Sequence, residues 1–538
     1  MSDKINKSSN AAVSPVREST RRRTAGKITI SAVFSALILI FSGCTTRYAQ
    51  SNIYPYCDKA YQECTVNLKN YKSPQQRIEQ DANLALTIAI SGGGFRASNF
   101  SAGALAGLEE LNAPLAAQGN CLSQADYFST VSGGGFTAAA YISSLYDYMQ
   151  FTGSADGYSF AKVLQNTAEN QKPANTCCLS NIPLQNYSTD PCIKRHLQGF
   201  YPDDIKHLIS DIICWFLHDT RKGGKFEQII DDTFLGCRFR KLKLQSLNLQ
   251  NGKTSLTLGD IFIRLGDSNE IRLPYWVPNA TAYENGAIFS FSPDHLKLYD
   301  ITEYKHRNKR YPYDCQKQNY ENFLYNVPLA VAVMASANFP GATYPTTLGS
   351  KMDPKNPYLH LFDGGMADNL AVITAVRLLE NEQQKVQRKV LLVIDAYQGT
   401  FAPFSKIRYP PPLANTALRA TAISLDSWRG RYREIISTIC EGKDIKVVFL
   451  SFDDLADMES CRPLVEFGLT ENEILQLTKK SKLTRPFDLL RKIPTVKTGD
   501  KGLLTTAEQN LLIAAGRYVI YEKREQILDA LGWSAKTD

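Results

Sequence analysis

Five short apolar runs constrain this chain more than any other feature: LALTIAI (84–90), DYFSTV (126–131), YLHLF (358–362), KVLLVID (389–395) and IKVVFLSF (445–452). Each is rich in β-branched or aromatic residues and largely continuous rather than alternating, the pattern of strands buried on both faces. Parallel strands covered by helical crossovers meet that requirement. The stretches between the runs fit, since after Ser132 the apolar positions Phe136, Ala139, Ala140, Ile142, Leu145, Tyr146 and Met149 recur at helical spacing. The expectation is an α/β fold with a mainly parallel central sheet flanked by helices. Thr505 or Thr506 reads as the cap of a last amphipathic helix.

Two of the runs end in glycine triplets. In STVSGGGF (129–136) a serine stands between strand and glycines, and a helical pattern follows. That is the layout of a nucleophile elbow, a sharp turn that lifts Ser132 into the open over a helix N-terminus, with Gly133 and Gly134 as the small neighbours it needs. Thr130 stands where the motif usually begins with glycine. In SGGGFRAS (91–98) the triplet again follows a buried strand and opens a helix, so backbone N–H groups of Gly92, Gly93 and Gly94 can converge on one spot and hold an oxyanion. A phosphate-binding loop would end in Gly-Lys-Ser/Thr, whereas Phe95, Arg96 and Ala97 follow here. A dinucleotide site would want an acid about twenty residues on, where Ala117 sits.

A serine nucleophile needs a base. The six histidines, His196, His207, His218, His295, His306 and His360, lie in no catalytic motif, and His360 in YLHLFDGG reads as a core or edge residue. Asp363, at the end of the same strand and followed by Gly364 and Gly365, is the candidate carboxylate. Asp368, Asp395 and Asp453 read as caps or turn residues. Neither the histidines nor the twelve cysteines show zinc-site spacing, and nothing found requires a metal or cofactor.

Charge locates the N-terminus rather than a polyanion partner. The chain of 538 residues carries a net +8, but residues 1–43 hold seven basic and two acidic groups. Without them the balance is about +3, which removes the main support for nucleic-acid binding. RRRTAGK followed by ITISAVFSALILIFSGC is a basic segment and then an apolar run too short to span a membrane comfortably. FSGC resembles the lipobox of bacterial lipoproteins, with Phe41 in place of the usual leucine. The resemblance implies a signal peptide over 1–43 and lipidation of Cys44, and Thr45 after it implies the outer membrane of a bacterial envelope. An uncleaved anchor, or cleavage elsewhere, are the alternatives. Residues 44–80 read as a tether. In an exported protein several cysteines could pair, Cys57 with Cys64 being the nearest isolated pair, although any one of them can equally be a small buried hydrophobe.

Asp363 follows Ser132 by 231 positions, more than one crossover needs, so residues 150–320 read as a large insertion, a lid or an added surface. The remaining order, SGGGFRAS, STVSGGGF, MASANFPGATYP (334–345) and LFDGGMADN (361–369), resembles the patatin-like phospholipases, closest to their cytosolic phospholipase A branch. The matching blocks cover Leu84 to Tyr146 and Val327 to Leu379. The resemblance implies a three-layer fold over 81–538 and a Ser132–Asp363 dyad without histidine. It also implies oxyanion donors at Gly92, Gly93 and Gly94, and a role for Arg96 in holding lipid phosphate, which its planar two-pronged donor set suits. The activity implied is hydrolysis of acyl esters in phospholipids or lysophospholipids. An esterase or acyltransferase acting on neutral lipids, with Arg96 merely bracing its loop, and a non-catalytic lipid-binding lipoprotein are the alternatives.

Overall fold

The computed structural model describes residues 84–112, 119–152, 157–165, 258, 273–299, 301–306, 309–312, 329–340, 345–350, 352–381, 386–396, 429, 431–493 and 504–533. These residues all belong to one unit, spanning 54–208 and 220–538, while the other unit, 1–53 with 209–219, lies outside them. The expected signal peptide, Cys44, the tether and the Cys57–Cys64 pair also lie outside the described residues.

In chain order the strands are β1 (Leu84–Ile90), β2 (Tyr127–Val131), β3 (Tyr275–Ala282), β4 (Ile288–Ser290), β5 (Ile301–His306), β6 (Lys309–Pro312), β7 (Thr346–Ser350), β8 (Tyr358–Asp363), β9 (Arg388–Asp395) and β10 (Ile445–Ser451). The longer helices on which the site depends are α1 (Gly94–Glu110), α2 (Gly133–Thr152), α3 (Leu329–Ser336), α4 (Val372–Asn381) and α5 (Thr506–Glu522). One ten-stranded sheet runs in the order β10-β9-β1-β2-β3-β8-β7-β5-β6, with β4 added against β3. From β10 to β3 every neighbouring pair is parallel. From β3 onward every pair is antiparallel.

All five expected strands form, and burial explains where the expectation of parallel pairing holds. β1 and the second half of β9 are buried at successive positions, as strands covered on both faces must be. β8 instead alternates half-buried and buried residues from Tyr358 to Asp363. Its run YLHLF, read as one more parallel strand, is antiparallel to both neighbours. A second correction concerns residues 150–320, whose later part is not an insertion: β3 lies in the middle of the sheet, between β2 and β8, and β4 to β6 extend the same sheet. β3 escapes a sequence reading because its segment YWVPNATA contains Pro278 and Asn279, both depleted in strands, yet all eight residues are buried.

The helical layer beside β9 and β10 is unusually close-packed. α1 is buried from Phe95 to Leu108 and lies against α5. Gly103 and Gly516 make this possible: a Cβ on Gly103 would collide with the Ile513 carbonyl, and one on Gly516 with the Phe100 carbonyl. Thr505 caps α5 as expected, its side chain accepting from the Glu508 N–H while Glu508 accepts from the Thr505 N–H. Cys121, Cys440 and Cys461 are free and buried, and burial pushes their thiols up to about 12, 11 and 11. These three behave as small core residues.

Candidate active site

Ser132 stands between the end of β2 and the start of α2 with φ of 50°, left-handed backbone that a non-glycine residue adopts only when its surroundings force it. Three contacts do so. The Ser132 N–H donates to Ser336 Oγ at 3.0 Å, and the Ser132 carbonyl accepts from the Gly135 N–H at 2.9 Å. On the inner side, a Cβ on Gly134 would sit 2.7 Å from the Ile90 and Ser91 carbonyls, and one on Gly133 would strike the Gly94 carbonyl. The two glycine turns are therefore packed backbone to backbone. Thr130 does no harm to the elbow, because its Oγ1 accepts from Trp276 Nε1 at 2.9 Å within the sheet.

The first turn is anchored from β9, where Ser91 N–H donates to the Ile394 carbonyl and Ser91 Oγ accepts from the Ala396 N–H, each at 3.0 Å. Gly93 and Gly94 take φ of 138° and 57°, conformations open to glycine and poorly to anything else. Gly94 is the first residue of α1, so its N–H has no acceptor within the helix. Gly92 differs from its neighbours: its N–H donates to the Asn369 carbonyl at 2.9 Å. Of the three glycines expected as oxyanion donors, Gly92 has its N–H committed to bracing the loop that follows Asp363, which leaves Gly93 and Gly94 as the candidates.

Asp363 reaches the same place from the other half of the sheet. Val131 is paired with Asn279 and Asp363 with Ala280, so Ser132 and Asp363 stand level on either side of β3. The Ser132 hydroxyl lies close enough to the Asp363 carboxylate to favour its ionised form, and Asp363 Oδ1 accepts from the Gly365 N–H at 2.8 Å. Its main chain is fixed as well: N–H to the Asn338 carbonyl at 3.0 Å, carbonyl from Thr281 Oγ1 at 2.9 Å. Burial pushes the carboxyl up to about 6 against the pull of Ser132 and the Gly365 N–H.

The other expected residues divide clearly. Arg96 is 3% exposed, enclosed in the first turn of α1 rather than displayed at the surface. His360 lies three positions before Asp363, and in a strand that places its side chain on the opposite face. There its Nδ1 is 2.9 Å from Thr347 Oγ1. Asp368 caps α4, accepting from the Leu370 and Ile373 N–H groups. Asp395 is neither cap nor turn: fully buried at the end of β9, it binds Arg429 Nε and Arg433 Nη2, both at 2.9 Å. Asp453 completes that ion-paired group through the same two arginines. Among the described residues no group of three or more His, Cys, Asp or Glu is arranged to hold a metal ion.

Three supporting residues escape a sequence reading. Ser336, the last residue of α3, and Asn338 two positions on meet Ser132 and Asp363, and the one signal for them is a pair of polar residues closing an apolar helix. Asn279, buried in β3, donates to Ser129 Oγ and the Thr130 carbonyl and accepts from Ser290 Oγ and Thr374 Oγ1.

A serine at a positive-φ strand-to-helix turn thus lies beside a buried carboxylate and a glycine-rich helix N-terminus. The family model for patatin-like phospholipases matches residues 88–376, more than half of the chain, and the chain belongs to that family. No curated protein is significantly similar to it in sequence. Among solved structures, human GIVD cytosolic phospholipase A2 is matched at 12% identity and a TM-score of 0.36, over 84% of this chain and 63% of that one. The same human enzyme in complex with methyl γ-linolenyl fluorophosphonate is matched at 16% identity and a TM-score of 0.35, over 85% and 61%. This chain thus spans less than two thirds of the length of those it matches.

Proposed function

We propose that this protein hydrolyses acyl esters of phospholipids or lysophospholipids with Ser132 as nucleophile and Asp363 as base. The observation that carries the reading is the Ser132 hydroxyl set against the buried Asp363 carboxylate at a positive-φ elbow. Membership of the patatin-like phospholipases supports the substrate class.

Ser132 Oγ attacks the ester carbonyl carbon as its proton passes to Asp363. The Gly93 and Gly94 N–H groups hold the oxygen that becomes negative, and each such donor lowers the barrier by about 2.7–4 kcal/mol. Collapse of the tetrahedral intermediate returns the proton from Asp363 to the leaving alkoxide and leaves the acyl group on Ser132. Asp363 then takes a proton from water, the hydroxide attacks the acyl-enzyme, and fatty acid leaves with Ser132 reprotonated. A carboxyl raised to about 6 is a better base than an ordinary aspartate while still ionised at neutral pH.

Labelling with a fluorophosphonate tests this directly: the folded wild type is modified stoichiometrically and Ser132→Ala is not. Wild type that stays unlabelled and inactive overturns the enzyme reading in favour of a lipid-binding role. The burial of Arg96 favours a second reading, a neutral-ester hydrolase or acyltransferase, because a phosphate would have to penetrate to an enclosed guanidinium. Arg96→Ala separates the two: a loss confined to phospholipid supports phosphate binding, and equal losses on phospholipid and short neutral ester remove it. Anchorage in a bacterial envelope through Cys44 belongs to the same proposal and rests on the FSGC pattern. Cys44→Ala should abolish incorporation of labelled fatty acid.

A further inference from the structure

The elbow is held by very few side-chain atoms. Glycine backbone and strand pairing supply most of the contacts around Ser132, but its own N–H ends on one hydroxyl, Ser336 Oγ, at 3.0 Å. Ser336 is wholly buried and is the last residue of α3. The same residue reaches the other half of the dyad, because its carbonyl accepts from the Gly364 N–H at 3.1 Å. Two positions on, the Asn338 carbonyl accepts from the N–H of Asp363 itself at 3.0 Å. One three-residue stretch therefore touches the backbone of the serine and the backbone of the aspartate.

Those bonds differ in what a substitution can remove. The links to Asp363 and Gly364 end on main-chain carbonyls and survive any change of side chain. The link to Ser132 is a side-chain acceptor and vanishes in an alanine. With it goes the restraint on a serine whose φ of 50° is costly for a residue bearing a Cβ. The freed N–H can regain a partner only if the turn relaxes, and relaxation swings Oγ away from the carboxylate that has stayed in place.

We propose that Ser336 is a positioning residue that fixes the Ser132 elbow against Asp363. It touches neither substrate nor the atoms that react, and the inference rests on the dyad reading given above. Its effect should therefore fall on kcat and leave KM nearly alone, since misplacing a reacting group by about 1 Å costs up to about 100-fold in rate.

The test compares wild type, Ser336→Ala, Ser336→Thr and Ser144→Ala as full-length proteins on one phospholipid substrate. Active sites are titrated by fluorophosphonate so that rates refer to folded, competent protein. Ser144 serves as the control because it is also a buried hydroxyl, bonded to the Tyr141 carbonyl within α2 and remote from the elbow. Ser336→Ala should lose about 10- to 100-fold in kcat per titrated site and a similar factor in the rate of fluorophosphonate labelling, with KM changed by less than about 2-fold. Ser336→Thr, which keeps the acceptor, should recover most of that loss. Ser144→Ala should keep its kcat per site whatever it loses in thermal stability. If Ser336→Ala retains wild-type kcat per titrated site, or if threonine rescues nothing although the protein is folded, the positioning role is wrong. Failure of the wild type itself to label, by contrast, overturns the dyad reading.

Discussion

Asp363 is costly to bury as an anion, and that cost has a pH signature. Its carboxyl titrates near 6 in the folded protein against an ordinary value of 3.8, so between those values the folded state holds a proton that the unfolded chain has released. Stability from this group is greatest below about pH 4 and is lost as pH rises through about 6. Asp363→Asn should therefore be more stable than wild type at about pH 7.5, by on the order of 1–3 kcal/mol, and no more stable at about pH 4. Denaturant titrations at the two pH values check this; an equal effect at both would refute it. Activity should run the other way, kcat/KM climbing with pH to half its maximum near pH 6, because the base works ionised. Ser132 and Asp363 were visible in the sequence because each polar residue closes an apolar run and precedes glycines. The commitment of the Gly92 N–H was not visible, since its acceptor, Asn369, lies 277 positions away and meets it only through the fold.

At the level of elements, the junction of α1 and α5 braces the helix that begins at the glycine turn. Gly103 and Gly516 face backbone, which cannot yield as the end of a flexible side chain can. Gly516→Ala should cost about 1–3 kcal/mol by chemical denaturation, and it should also lower kcat, since α1 begins at Gly94. Thr505→Ala offers the contrast: removing the cap of α5 should cost about 1 kcal/mol and leave kcat/KM intact. Half of the strands were legible as continuous apolar runs. The others were not, for reasons of chemistry: ITEYKH, KRYP and TTLGS in β5, β6 and β7 are short and polar, and β3 carries a proline. Apolar runs reveal β8 as well as the parallel strands β1, β2, β9 and β10, and they pass over the short polar strands and the proline-bearing β3.

In the molecule as a whole, the parallel and antiparallel halves of the sheet meet at β3, and Asn279 ties β2, β4 and α4 together there. Asn279→Ala should destabilise the protein by about 3 kcal/mol or more, because it removes four hydrogen bonds from a buried polar cluster. A urea titration showing less than about 1 kcal/mol would contradict it. The join itself is short: β3 and β8 are paired through Ala280–Asp363, Thr281–Phe362 and Ala282–Leu361, with one more backbone bond from the Tyr283 N–H to the His360 carbonyl. One of the two proposed catalytic groups is thus a rung of the seam that closes the sheet. If the proposed function holds, heat or detergent that loosens that seam should silence turnover before the rest of the sheet gives way. Turnover then becomes a more sensitive gauge of the sheet's continuity than any optical measure of its strands.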